Sequence, residues 1–166
     1  STSTMATVRA CLSLGSNIEP ERNLRSAIAA LRERFGEVAL SSIYRFPAVG
    51  FDGPDFLNAA AIIDCQIDPF ALNRWLHELE RQHGRVRANV KFSSRRLDID
   101  IIYFGDLVLD GPGELTLPRP ELNQAFVLKP LAELAPQFVD PICKRSLQQL
   151  WDAHPQREAE FPRVEL

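Results

Sequence analysis

The stretch RRLDIDIIYFG, residues 95–105, has the composition of a buried β-strand but carries two carboxylates. Its run of Leu, Ile, Tyr and Phe favours a sheet. Because side chains alternate across a strand, Asp98 and Asp100 leave one face together, while the aliphatic residues beside them leave the other. Aspartate is a poor strand former, and two like charges on one face repel each other. We therefore interpret the face that carries the aspartates as a candidate functional surface.

The segments around this strand alternate between strand and helix patterns. Pro20 and Gly36 bracket the first predicted helix, and Asp68 is placed to cap the second. The predicted elements are strand 7–15, helix 20–36, strand 37–46, strand 56–67, helix 68–84 and strand 95–105. This order is typical of the split βαβ, ferredoxin-like fold.

The predicted fold class is therefore α+β, with a ferredoxin-like βαββαβ core in which helices cover one face of an antiparallel sheet. Two further helices are expected over 123–134 and 146–154. A chain of 166 residues is long enough for one domain with a real core. We assign residues 5–166 to this domain and interpret residues 1–4, before Met5, as a cloning remnant.

The composition argues against several classes of protein. The net charge of −3 and the pI of about 5.6 argue against a general nucleic-acid binder. No apolar run approaches the roughly 20 residues of a membrane span, and no signal peptide is visible. Cys11, Cys65 and Cys143 form no CxxC pair and are expected to be reduced thiols. We predict a cytoplasmic, monomeric protein with no nucleic-acid or membrane partner.

A cluster of cations precedes the two aspartates. Residues 81–96 hold six of the nineteen Lys and Arg residues and no Asp or Glu. Mg²⁺ prefers carboxylate and phosphate oxygens, and two carboxylates about 7 Å apart along a strand have room for one or two such ions. Phosphoryl transfer needs positioning and charge neutralisation, which cations and metals supply. The pattern favours a metal–phosphate site, with a solvated polar strand face as the alternative.

Several motifs carry a resemblance to a known enzyme family. They are LSLGSN (12–17), PDFLNAA (54–60), GRVR (84–87), RRLDIDIIYFGD (95–106), LTLP (115–118) and AFVLKPLAELAP (125–136). In these motifs and their order, the chain resembles 6-hydroxymethyl-7,8-dihydropterin pyrophosphokinase, an enzyme of folate synthesis. The resemblance implies an ATP-dependent diphosphotransferase that moves pyrophosphate to the hydroxymethyl group of a reduced pterin and releases AMP.

The same resemblance implies roles for residues at the phosphate site. Asp98 and Asp100 would hold two Mg²⁺ ions that bridge the ATP phosphates. Arg85 and Arg95 would stabilise the transferring group. The residues that fall where the family contacts the nucleotide are His77, Glu80, Arg87, Ile101, Thr116 and Arg119.

A pterin pocket is implied in the same way. A flat bicyclic ring needs aromatic faces above and below it, and its amide-like edge needs a side chain with both a donor and an acceptor. Phe56 and Phe126 match the residues that stack on the pterin in the family, and Asn58 matches the residue that hydrogen-bonds to the amide-like edge of the ring. The other residues expected to line this pocket are Phe46, Pro47, Val49 and Phe92.

The rim of the nucleotide site departs from the family pattern. Residues 92–95 read FSSR where the family usually reads WGPR, so Phe92 lacks an indole N–H and Ser93-Ser94 replaces Gly-Pro. Arg119 stands where the family commonly has His, and we expect it to supply the missing cation contact. The other departures are Glu114 and Gln124, where basic residues are common, and His77, where Gln is common.

Three functions therefore stay open. The protein is an active pyrophosphokinase with a rearranged ATP rim, a paralogue with altered pterin or nucleotide use, or a non-catalytic ferredoxin-like binding module. RNA readers of this shape are typically basic and expose aromatic residues on the sheet. This chain is acidic and carries aspartates there, so we rank the binding module last. Because the aspartates, the principal arginines and the pterin residues of the family pattern persist, we predict the first function.

Overall fold

The computed structural model describes residues 6–84, 96–111 and 115–166. The helices in these ranges are α1 (Pro20–Phe35), α2 (Pro69–Gln82), α3 (Ala125–Leu134) and α4 (Leu147–Asp152), with a 3-10 helix at Pro120–Asn123. The strands are β1 (Val8–Ser16), β2 (Val38–Leu40), β3 (Ile43–Phe46), β4 (Phe56–Cys65), β5 (Asp98–Phe104), β6 (Leu109–Asp110), β7 (Thr116–Leu117) and β8 (Arg163–Val164). Within the described ranges, no helix has the length and apolar character needed to cross a membrane.

The main sheet confirms the predicted ferredoxin-like core. Its strand order is β5-β1-β4-β3-β8, β2 also pairs with β4, and these pairs are antiparallel. One prediction was wrong, because the strand expected over 37–46 is two strands, β2 and β3, with a break at Ser41. The hydroxyl of Ser41 accepts a hydrogen bond from the amide of Ala60 at 2.8 Å, so a side chain replaces a backbone carbonyl at the break.

Helices α1 and α2 cover one face of this sheet. The carboxylate of Asp68 accepts a hydrogen bond from the amide of Ala71 at 2.8 Å, which confirms the predicted cap of α2. Leucines of both helices pack on the inward side chains of the central strands. The fully buried members of this core include Leu12, Leu14, Leu24, Leu31, Leu72, Leu76, Ile99 and Ile101.

Helices α3 and α4 cover part of the opposite face, which differs from the expectation of helices on one face. A second core there joins α3 to Cys11 of β1, Ala60 of β4 and Ile102 and Tyr103 of β5. The β1–β5 register shifts between Cys11 and Leu12, so that two consecutive residues of β5 contribute to the same core. The apolar run after Asp100 thus contributes side chains to the cores on both faces of the sheet.

Candidate active site

The register of the sheet brings distant polar residues into one row. Asp98 on β5 lies opposite Gly15 on β1, Gly15 lies opposite Asn58 on β4, and Asn58 lies opposite Tyr44 on β3. Residues directly opposite each other in an antiparallel pair share a face. This is the face on which α3 packs farther along, where Cys11 and Ala60 belong to the second core.

Asp98 and Asp100 lie side by side on this face, as predicted. Both are half-buried, and across from them β1 carries only small side chains, at Gly15 and Ser13. In the described ranges, no three His, Cys, Asp or Glu residues come together as a metal cluster. Two half-buried carboxylates nevertheless fit Mg²⁺, since this ion usually takes one or two carboxylates and completes its shell with phosphate oxygens and water.

Arg119 is bound to the same strand. Its Nε donates to the carbonyl of Ile101 at 3.1 Å, and its backbone amide donates to the carbonyl of Ile102 at 3.1 Å. Its Nη2 lies 3.6 Å from Oδ1 of Asp100, and both side chains are partly buried, with exposures of 19% and 25%. A cation is therefore held beside one of the two predicted metal ligands.

Glu80 approaches the aspartates from the other side of β5. Its side chain is 1% exposed, and its Oε2 accepts a hydrogen bond from the amide of Ile99 at 3.0 Å. Ile99 lies between the two aspartates, and β5 is the edge strand next to β1. The Glu80 carboxylate therefore holds the backbone of β5 at Ile99, between the two predicted metal ligands.

Asn58 is buried with an incomplete set of hydrogen bonds. It is 4% exposed, its Nδ2 donates to the carbonyl of Leu14 at 3.4 Å, and its Oδ1 has no partner among the described residues. A Cβ atom added to Gly15 would lie 2.5 Å from Nδ2 of Asn58. Glycine at this position therefore leaves the space that the Asn58 amide occupies.

Phe56 lies beside Asn58 at the start of β4 and is half-buried. Phe51, from the loop between β3 and β4, meets it edge-on, with ring centroids 6.3 Å apart at 87°. The same loop is tied to β1 because Nδ2 of Asn17 donates to the carbonyl of Pro54 at 3.1 Å. The site thus combines an aromatic wall, a buried amide and two carboxylates on one sheet face.

The chain matches the family model of 7,8-dihydro-6-hydroxymethylpterin-pyrophosphokinase over residues 11–136, which include every element of this site. It belongs to that family. A Synechocystis sp. protein named 2-amino-4-hydroxy-6-hydroxymethyldihydropteridine pyrophosphokinase is 40% identical over 145 residues, covering 85% of this chain and 73% of the relative. The Pseudomonas aeruginosa protein of the same name is 40% identical over 136 residues, covering 78% of this chain and 82% of the relative.

Solved structures of the pyrophosphokinase family show the same fold. A Plasmodium falciparum protein described as HPPK-DHPS, crystallised with pteroate, superposes with a TM-score of 0.75 at 12% identity. The superposition covers 99% of this chain and 47% of the Plasmodium chain, so this chain spans about half of that protein. At this identity the likeness concerns the fold alone.

The remaining nucleotide residues predicted from the pyrophosphokinase resemblance are not members of the row. His77 is exposed on α2, and Thr116 is half-buried in β7. The side chain of Ile101 is fully buried in the core between the sheet, α1 and α2. Ile101 therefore meets the site through its backbone carbonyl, which accepts the hydrogen bond from Arg119. Gln124 lies just before α3 and is its N-cap residue.

The remaining pterin residues frame the start of β4 and α3. Phe46 is 3% exposed and lies opposite Phe56, while Pro47 and Val49 are exposed in the following loop. Phe126 is half-buried in the first turn of α3. The predicted residues outside the described ranges are Arg85, Arg87, Phe92, Ser93, Ser94, Arg95 and Glu114.

Sequence reasoning missed three contributors to this candidate site. Gly15 and Asn17 belong to the LSLGSN motif, so the family resemblance was the signal that could have found them. Phe51 follows a loop-forming Val-Gly pair, and nothing local indicates that its ring meets Phe56.

Proposed function

We propose that this protein transfers pyrophosphate from ATP to 6-hydroxymethyl-7,8-dihydropterin. The pterin hydroxyl oxygen attacks the β-phosphorus of ATP, the bond from that phosphorus to the α-phosphate bridging oxygen breaks, and AMP leaves as the hydroxyl loses its proton. The observation that carries the proposal is the row in which Gly15 separates Asp98 from Asn58. Two strand spacings place the backbones of these two residues about 9–10 Å apart, which is room for a pterin edge at one end and a phosphate at the other.

The phosphate end of the row is Asp98 with Asp100. We propose that they hold two Mg²⁺ ions, which supply neutralisation of the charge on the transferring phosphates. Arg119 already lies against Asp100, and we propose that its guanidinium also contacts a phosphate oxygen when ATP is bound. Arg85 and Arg95 stay predictions for the transferring group.

The pterin end of the row is Asn58 with the phenylalanines beside it. A buried acceptor without a partner is costly, so Oδ1 of Asn58 is suited to an N–H donor on the edge of a bound ring. Phe56 and Phe126 supply the proposed stacking faces. The pocket thereby selects a flat heterocycle with an amide-like edge.

The test is product analysis with purified protein. We expect AMP and the pterin diphosphate to form in equal amounts from ATP and 6-hydroxymethyl-7,8-dihydropterin, with no AMP when either Mg²⁺ or the pterin is omitted. Formation of ADP in place of AMP, or turnover only with a different pterin, would favour the paralogue. The monomeric state, the cytoplasmic location and the lack of nucleic-acid or membrane partners stay predictions.

A further inference from the structure

The C-terminal strand β8 extends the sheet beyond the residues that the family model covers. It pairs with β3 through Ile43 opposite Val164 and Tyr44 opposite Arg163, and the amide of Arg45 donates to the carbonyl of Pro162 at 2.8 Å. The family match ends at residue 136. This strand is therefore a part of the fold to which neither the motifs nor the match assign a role.

The same register places a row of three phenylalanines beside the proposed pterin pocket. Phe46 on β3 lies opposite Phe56 on β4. On the other side of β3, the ring of Phe161 packs on that of Phe46, with centroids 4.5 Å apart at 42°. The row runs from the C-terminal segment, through a ring that is 3% exposed, to the proposed stacking residue Phe56.

A second contact joins the C-terminal region to the same pocket. Trp151 of α4 and Phe161 pack in one cluster with Tyr44, Phe46 and Phe126, the other proposed stacking residue. Buried aromatic rings that touch restrict one another, because a close-packed interior leaves little room for a ring to shift alone. Removing an outer ring leaves the inner rings with a cavity to move into.

We propose that Phe161 is a positioning residue for pterin binding. It covers Phe46, which lies opposite Phe56 in the sheet and belongs to the cluster on which Phe126 packs. Phe161 thereby restricts the two proposed stacking residues without touching the substrate itself. This inference rests on the proposed placement of the pterin at Phe56 and Asn58.

The chain offers a closely matched control for this proposal. Phe138 packs on Tyr103 with centroids 4.6 Å apart at 52°, nearly the geometry of the Phe161–Phe46 pair. The Phe138–Tyr103 pair belongs to the second core, which Phe126 and Trp151 also border, but Phe46 and Phe161 are not members of that core. Phe138→Ala therefore removes the same kind of contact beside α3 and leaves the Phe161–Phe46 pair intact.

The experiment is calorimetric titration of 6-hydroxymethyl-7,8-dihydropterin into protein saturated with Mg²⁺ and α,β-methylene-ATP. An aromatic contact of this kind corresponds to a change of about two- to twelvefold in an equilibrium constant, so we expect Phe161→Ala to raise the pterin Kd by that factor. The Kd for the ATP analogue should stay within about twofold. Phe138→Ala should change neither Kd, although both variants lose thermal stability, and Phe161→Tyr should restore pterin affinity.

The outcomes separate this inference from the proposed function. Equal pterin Kd values for Phe161→Ala and Phe138→Ala, beside weakened binding in Asn58→Ala, would overturn the positioning role alone. Unchanged binding in Asn58→Ala, or no pterin binding by the wild-type protein, would overturn both. If Phe161→Ala does not fold, Phe161→Leu is measured in the same way, and an unchanged pterin Kd there overturns the inference.

Discussion

The guanidinium of Arg119 and the carboxylate of Asp100 form an ion pair, with Nη2 3.6 Å from Oδ1. Nε of Arg119 is bound to the carbonyl of Ile101, so the guanidinium is oriented by the strand that carries the carboxylate. A cation in this position has two opposite effects. It competes with a metal ion for Asp100, and it adds positive charge where a phosphate would bind.

Arg119→Ala should raise the KM for ATP by roughly tenfold or more and leave pterin affinity nearly unchanged. A charge-assisted hydrogen bond to phosphate contributes about 1.5–3 kcal/mol, whereas the Arg119–Asp100 pair, at 3.6 Å, is too long for a hydrogen bond and should contribute less. The lost phosphate contact should therefore outweigh the gain in metal affinity at Asp100. Titration of an ATP analogue and of the pterin measures both effects. Unchanged or tighter nucleotide binding would show that Arg119 acts mainly as the counter-ion of Asp100.

Asp98→Asn and Asp100→Asn should each abolish Mg²⁺-dependent turnover while the protein remains folded. A neutral amide does not offset the charge of Mg²⁺, but it has the shape of the carboxylate and keeps the strand geometry. The measurement is AMP release across a Mg²⁺ titration, with urea unfolding as the check on folding. Near-normal turnover of both variants would contradict the metal assignment.

Glu80→Ala should destabilise the protein by about 1–3 kcal/mol, because it leaves the buried amide of Ile99 without its acceptor. Since that amide lies between Asp98 and Asp100, the variant should also need more Mg²⁺ for half-maximal turnover. Glu80→Gln keeps an acceptor oxygen and should restore most of both properties. Glu78→Gln is the control, since Glu78 is on the same helix and pairs with Arg81 at the surface. A normal Mg²⁺ requirement with a raised KM for ATP in Glu80→Ala would instead indicate a direct nucleotide contact.

Gly15→Ala should weaken pterin binding by roughly tenfold, because the new Cβ would lie 2.5 Å from Nδ2 of Asn58 and displace the amide. In an Asn58→Ala background, Gly15→Ala should have little further effect on pterin binding, because the Asn58 amide that the new Cβ would displace is absent. Pterin titration of the two single variants and the double variant forms the cycle. Additive losses would show that Gly15 affects binding by another route.

Asp140→Asn should flatten the acid limb of the stability curve. Burial disfavours the charged form of Asp140, but hydrogen bonds from the Tyr103 hydroxyl and from the amides of Cys143 and Ile142 outweigh it and lower the pKa of its carboxyl. A depressed pKa stabilises the folded state above the unfolded value of about 3.9, and this contribution is lost as the pH falls through the lower, folded value. Urea unfolding between pH 7 and pH 2.5 should show a steeper loss below about pH 4 in the wild-type protein than in the variant. Parallel curves would assign the acid sensitivity to other carboxylates.

The order of strands and helices was predictable from sequence because it depends on local periodicity and on end signals such as Asp68. The family was predictable as well, since its motifs are contiguous stretches. The two aspartates were recognisable because strand alternation alone puts Asp98 and Asp100 on one face.

The tertiary structure decided which residues meet across the sheet. Asn58, Gly15 and Asp98 share a row because of pairing registers between strands whose paired residues are 43 and 83 positions apart in the chain, and no local pattern encodes these registers. The break at Ser41 and the shift at Cys11 are likewise settled by what covers each face. The contacts of Arg119 with Asp100 and of Phe161 with Phe46 arise in the same way, since both depend on where the folded core brings chain segments that sequence reasoning treats separately.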